Sequence, residues 1–89
     1  ELLSSDAPDL DEALDLDGKR RLVRQVVGTM PHRLREILVL AYFHRFPYRE
    51  IAEITGIQMG TVKSRLHLAI TDFAKRYREA LCNRMNEEP

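Results

Sequence analysis

Along residues 18–84 the apolar positions recur with the period of about 3.6 residues that marks helices, and no stretch alternates long enough to make a strand. Leu22, Val23, Val26, Val27 and Met30 form one stripe. Asp17 is its expected N-cap, and Gly28-Thr29 before Pro31 its stop. Pro31 is expected in the first turn of a second helix, where its missing N–H costs nothing. Leu34, Ile37, Leu38, Ala41 and Tyr42 share one face of that helix, and Val39, Leu40 and Phe43 fill much of the rest. Such a wide apolar surface predicts the most buried helix of the domain. His44-Arg45-Phe46-Pro47 interrupts the pattern. A short helix then runs from Tyr48 to about Thr55, with Ile51, Ala52 and Ile54 facing inward. Gly56 follows, in the position that favours a left-handed residue. After Ile57-Gln58-Met59-Gly60, a long helix is predicted from Thr61 to about Arg84, with Val62, Leu66, Ala69, Phe73, Tyr77 and Ala80 buried. The predicted fold is all-α, with four helices and no strands, and its last two helices form a helix-turn-helix.

Charge divides the same chain differently. Fourteen Lys and Arg balance fourteen Asp and Glu, so the formal net charge is zero. Residues 1–17 hold seven of the acids (Glu1, Asp6, Asp9, Asp11, Glu12, Asp15, Asp17) and none of the bases. Residues 18–89 therefore carry all fourteen bases against seven acids, a net of +7, and residues 18–86 stand at +9. An acidic arm on a basic body points towards nucleic acid as the body's neighbour. Residues 1–17 read as a linker, with Leu10 and Leu14 at helical spacing for a partner to order. Residues 18–86 form the domain, and 87–89 a tail.

Composition removes other classes. The longest apolar run, Ile37 to Phe43, has seven residues, whereas a membrane span needs about 20. No signal peptide opens the chain. A single cysteine, Cys82, excludes an intrachain disulfide framework and suits a reducing, cytoplasmic setting. Cys82 itself is expected as a small, semi-buried hydrophobe. His32, His44 and His67 have no metal-ligand spacing. No Gly-rich phosphate loop or carboxylate pair appears, so neither an enzyme nor a cofactor is expected. The first residue is Glu rather than Met, which suggests a segment of a longer protein.

The helix-turn-helix carries the candidate chemistry. Ala52 is small where two helices must approach, Gly56 makes the turn, and Ile57 and Val62 plug the angle. With Val62 at the centre of the buried stripe and about 100° per residue, Ser64, Leu68, Thr71 and Lys75 point nearly opposite. Lys63 and His67 flank them on one side, Arg65 and Asp72 on the other. In this motif the N-terminal residues of the second helix enter the major groove. Lys63 suits a guanine edge or a phosphate, Ser64 a base edge, and the amides at Gly60 to Thr61 a phosphate. Read as ordinary surface residues, Lys63 and Arg65 are solvated charges and Leu68 a lone exposed leucine. Read functionally, Leu68 meets a thymine methyl or a protein partner.

The run Tyr48-Arg49-Glu50-Ile51-Ala52-Glu53-Ile54-Thr55-Gly56, continuing through Gly60-Thr61-Val62-Lys63-Ser64-Arg65-Leu66-His67, resembles region 4 of an extracytoplasmic-function (ECF) sigma factor of bacterial RNA polymerase. Met30-Pro31-His32-Arg33-Leu34-Arg35-Glu36-Ile37-Leu38 resembles the opening of the same region, and the likeness covers about residues 18–82. The acidic residues 1–17 stand where such factors carry the linker from their region 2 domain. The resemblance implies recognition of the −35 promoter element, docking on the β-subunit flap of core polymerase, and control by an anti-sigma factor. It implies DNA contacts at Thr61, Lys63, Ser64, His67 and Leu68, with Arg49, Gly60 and Arg65 completing the candidate set. It also implies an apolar partner surface, for the flap or an anti-sigma factor, at Val23, Val27, Leu34, Leu38 and Tyr42.

The chain departs from the family pattern in three places. Leu68-Ala69-Ile70 stands where Arg-Ala-Arg is usual, removing two cations. Gln58 stands where a capping Ser or a Pro is common. Pro47 replaces a capping Ser, and Arg45 a common Gly, which predicts a strained turn. Two other readings compete. A response-regulator output domain shares Glu-Ile-Ala and Thr-Val-Lys but lacks the Pro31 helix. A sigma-like interaction module that binds an anti-sigma factor without DNA draws support from Leu68 and Ile70.

Overall fold

The computed structural model describes residues 14–87. The described residues form α1 (Leu16–Thr29), α2 (His32–Leu38) with a π-helical turn at Val39–Phe43, α3 (Tyr48–Thr55) and α4 (Met59–Glu87), and no strand occurs among them. Most of the acidic stretch expected as a linker, residues 1–13, lies outside the described residues, as does the end of the expected tail, 88–89. The chain divides into two compact units. One contains α1 and the part of α4 from Asp72 onwards, and the other spans Met30–Thr71.

In the first unit the start of α1 differs from expectation. Asp15, not Asp17, is the cap: its carboxylate accepts the Gly18 N–H at 2.7 Å, and its carbonyl accepts the Lys19 N–H at 2.9 Å. Asp17 instead sits in the first turn, where a negative charge complements the helix dipole. A Cβ at position 18 would lie 3.0 Å from the capping Asp15 oxygen, so glycine leaves room for that contact. α1 ends at Thr29, at the expected Gly28-Thr29 stop, with both residues still helical. Leu22, Val26 and Val27 are buried on α1, and Phe73 and Leu81 on α4. Leu81 takes the buried position in place of the expected Ala80 and Tyr77, which are half-buried. Tyr77 stacks on Phe73 at 5.5 Å between centroids.

Arg76 ties this unit together. Its Nε donates to Asp72 Oδ2 at 2.8 Å, and its Nη1 donates to the Thr29 carbonyl at 3.0 Å. The guanidinium thereby caps the C-terminal end of α1, where a cation opposes the negative pole of the helix. Cys82 is exposed rather than semi-buried, because Leu81 occupies the inward position beside it.

The second unit buries Met30, Ile37, Leu38, Ile51, Val62, Leu66 and Ala69. Pro31 stands one position before α2, with its carbonyl accepting the Arg35 N–H at 2.9 Å. The second helix is less buried than its composition predicts. After Leu38 the backbone opens into a π-helical turn, closed by the His44 N–H on the Val39 carbonyl at 3.1 Å, five residues back. That wider turn shifts the following side chains out of α-helical register. Tyr42 and Phe43 are consequently 57% and 56% exposed, although the α-helical period places Tyr42 with the core face.

The next link bears out the expected strain. Arg45 has φ of 59°, in the region L residues rarely adopt, and it precedes Phe46, whose ring stacks on His44 at 5.6 Å. The π-helical turn packs against α3. α3 has the expected bounds, but Thr55 rather than Ile54 joins Ile51 and Ala52 on the inward face. Ile51 is fully buried, Ala52 and Thr55 are half-buried, and Ile54 is 52% exposed. Thr55 can take the inner place because its hydroxyl donates to the Ile51 carbonyl at 2.7 Å.

Candidate nucleic-acid interface

α3 and the first half of α4 lie in one unit, joined by three residues. Gly56 ends α3 at φ 77°, ψ 16°, with its N–H on the Ala52 carbonyl at 2.9 Å. This is the left-handed C-cap that the glycine predicts. Ile51 from α3 and Val62 from α4 are both fully buried and fix the hairpin from inside; Ile57 is half-buried in the turn. α4 begins at Met59, two residues earlier than the sequence suggests, with the Gln58 carbonyl accepting the Val62 N–H at 2.9 Å. Gly60 and Thr61 consequently lie inside the first turn, among the amides that have no partner within the helix.

The outward face of α4 has the composition read from the helical period. Lys63, Ser64, His67, Leu68 and Thr71 are exposed, as are Arg49 on α3 and Gly60. Thr61 and Arg65 are half-buried at the edges of this face. Ile70 is half-buried too, so of Leu68 and Ile70 only Leu68 stands fully outward. The Lys63 ammonium lies 5.9 Å from the centroid of the Tyr48 ring. This cation–π contact joins the start of α3 to the recognition helix, and at an exposed site it is worth about 0.5–1 kcal/mol. Sequence reasoning missed it because fifteen positions separate the two residues and no local pattern joins them.

The hydroxyls on this face are turned back onto the helix. Ser64 Oγ donates to the Gly60 or Thr61 carbonyl, each at 3.3 Å, and Thr71 Oγ1 donates to the His67 carbonyl at 3.0 Å.

The expected partner surface is only partly available. Val27 and Leu38 are core residues, 8% and 6% exposed, because both face the interior stripes of their helices. Val23 and Leu34 are half-buried, and Tyr42 is exposed. Phe43, absent from the expected set, is as exposed as Tyr42; the π-helical turn that turns it outward has no simple signal in the sequence. Among the described residues no group of three or more His, Cys, Asp or Glu is arranged to hold a metal, and no helix is long and apolar enough to cross a membrane.

The family model for sigma-70 region 4 matches residues 20–72, which include α3, the turn and the start of α4. The ECF RNA polymerase sigma factor RpoE of Cereibacter sphaeroides is 29% identical over 63 residues, covering 71% of this chain and 35% of that protein. The RNA polymerase sigma-E factor of Streptomyces coelicolor is 32% identical over 75 residues, covering 84% of this chain and 40% of the relative. RNA polymerase sigma factor SigV of Bacillus subtilis is 39% identical over 48 residues, covering 54% and 29%. The chain thus spans well under half the length of the curated relatives it matches. No solved structure matches it. Region 4 is a non-enzymatic, all-α helix-turn-helix domain. With that motif present in residues 48–71 and matched by the family model, the chain belongs to the sigma-70 region 4 family, as the region 4 domain of an ECF sigma factor.

Proposed function

We propose that this domain recognises the −35 promoter element in duplex DNA while it docks on core RNA polymerase, and that an anti-sigma factor controls its access. The observation that carries the reading is the exposed face of α4, where Lys63, Ser64, His67 and Leu68 project beside Arg49 from a helix-turn-helix with a left-handed glycine turn. Such a helix lies in the major groove with its first turns against base edges. Lys63 and Arg49 supply charge to a guanine edge or to phosphates, and the first-turn amides at Gly60 and Thr61 suit a phosphate. Tyr42 and Phe43, with the half-buried Leu34, are the apolar groups offered to the polymerase flap or to an anti-sigma factor.

The test is selection of promoter DNA from a random library by the sigma factor that carries this domain, assembled with core polymerase. A specific upstream hexamer should emerge, and Lys63→Met should lower affinity for it. In direct binding measurements, each lost phosphate contact should flatten the dependence of log K on log salt by about one unit. If no sequence is enriched upstream of the start site, the reading fails. A second reading takes the exposed Leu68 as a protein contact, in a region 4 module that binds an anti-sigma factor without DNA. That reading expects no enrichment together with a tight anti-sigma complex.

A further inference from the structure

Ser64, Leu68 and Thr71 lie at i, i+4 and i+7 of α4, within about 60° of arc on its outer face. Leu68 is 60% exposed. A serine or threonine hydroxyl has one proton to donate. Ser64 gives its proton to the Gly60 or Thr61 carbonyl, and Thr71 gives its proton to the His67 carbonyl. The centre of this face therefore presents the methyl groups of Leu68 and Thr71 and two oxygen acceptors, with the donors of Lys63 and His67 at one flank and those of the half-buried Arg65 at the other. Purine edges in the major groove offer N7 and O6 acceptors or an N6 amino group, which call for polar partners; the apolar feature of the groove is the thymine C5-methyl.

A protein partner fits this strip less well. Among the described residues of α4, Met59 and Leu68 are the large apolar side chains with high exposure. One leucine among polar neighbours is far smaller than the patch of a few hundred Å² that marks a protein-docking surface.

We propose that Leu68 is a specificity-determining residue that contacts a thymine methyl in the DNA element bound by α4. The proposal rests on the −35 reading above and adds what the centre of the recognition face reads.

The test uses the full-length factor with core polymerase. After selection of the preferred element, each of its thymines is replaced singly by uracil, which removes the methyl and keeps the pairing. For the native protein, uracil at one or two positions should weaken binding about fourfold, the loss expected for one buried methyl group. Leu68→Ala should bind the thymine and uracil elements equally at those positions, while it keeps the native response at the others. Circular dichroism should confirm that the exposed substitution leaves the helices intact. If an element is selected but no thymine shows a Leu68-dependent uracil effect, the methyl contact is overturned and the −35 reading stands. If no element is selected, both fall. If Leu68→Ala weakens binding to core polymerase or an anti-sigma factor with sequence preference unchanged, Leu68 belongs to a protein interface and the proposal is overturned.

Discussion

Replacing Arg76 with Met tests whether a single guanidinium secures the end of α1. The substitution keeps most of the aliphatic stem and removes the polar contacts to Asp72 at 2.8 Å, to the Thr29 carbonyl at 3.0 Å and to the Thr29 hydroxyl oxygen at 3.4 Å. The Asp72 pair is an i, i+4 ion pair with side chains 34% and 25% exposed, worth about 0.3–0.5 kcal/mol. The bond to Thr29 adds about 1 kcal/mol as a hydrogen bond and roughly 0.3–1 kcal/mol for a cation at a helix C-terminus. Partial exposure lowers that sum, so Arg76→Met should cost about 1–1.5 kcal/mol. For a domain of this size, that lowers Tm by about 5–10 °C. Thermal and urea unfolding followed by far-UV circular dichroism would measure the loss. Arg76→Lys keeps the charge but not the fork that spans both partners, and should recover less than half of it. Asp72→Asn should cost at most about 0.5 kcal/mol, since the Thr29 contact survives. High salt should shrink the difference between native and Met proteins without abolishing it. A Met variant that unfolds within about 1 °C of the native protein would refute the capping role.

Other perturbations separate the remaining inferences. Ile51→Ala should cost about 2–5 kcal/mol and Ile54→Ala less than about 0.5 kcal/mol in urea unfolding, because the first side chain is fully buried and the second 52% exposed. Equal losses would contradict the inward face assigned to α3. Gly56→Ala should destabilise by about 1–2 kcal/mol at its φ of 77°. Arg45→Gly should raise stability by up to about 1 kcal/mol, by relieving φ 59°. Gly28→Ala should stabilise α1 by about 0.5–1 kcal/mol, since Gly28 is helical and a Cβ there meets nothing within 4 Å.

What could be read from the sequence depended on the range of the interaction. The bounds of α3 and the left-handed Gly56 are local chemistry, and each follows from one or two residue types, whereas the strain at Arg45 follows from the family resemblance. The outward face of α4 follows from a period repeated over many turns, which averages out single errors. In α3 the eight residues make just over two turns, so an apolar residue at the edge of the stripe is easily assigned to its centre. The period places Ile54 inward in that way, while Thr55, polar by type, lies inward with its hydroxyl satisfied by the Ile51 carbonyl. Asp15 and Asp17 are both acids near the same boundary, and only the carboxylate's contact with Gly18 distinguishes the cap. The Lys63–Tyr48 and Arg76–Thr29 contacts depend on the folded chain, and no spacing rule reaches them.

The π-helical turn at Val39–Phe43 also bears on how this chain should be lined up with others. A turn of that kind accommodates about one residue more than an α-helical turn over the same length. Against a relative whose helix is unbroken, the natural place for a one-residue gap is therefore within positions 39–43. Pairing the two chains without a gap would slide one flank by a position. Core residues would then be matched to solvent-facing ones either before Val39 or after Phe43. For the same reason, removing one residue from 39–43 should tighten the backbone to an α-helix, whereas the same deletion within 32–38 would carry Ile37 or Leu38 off the buried face.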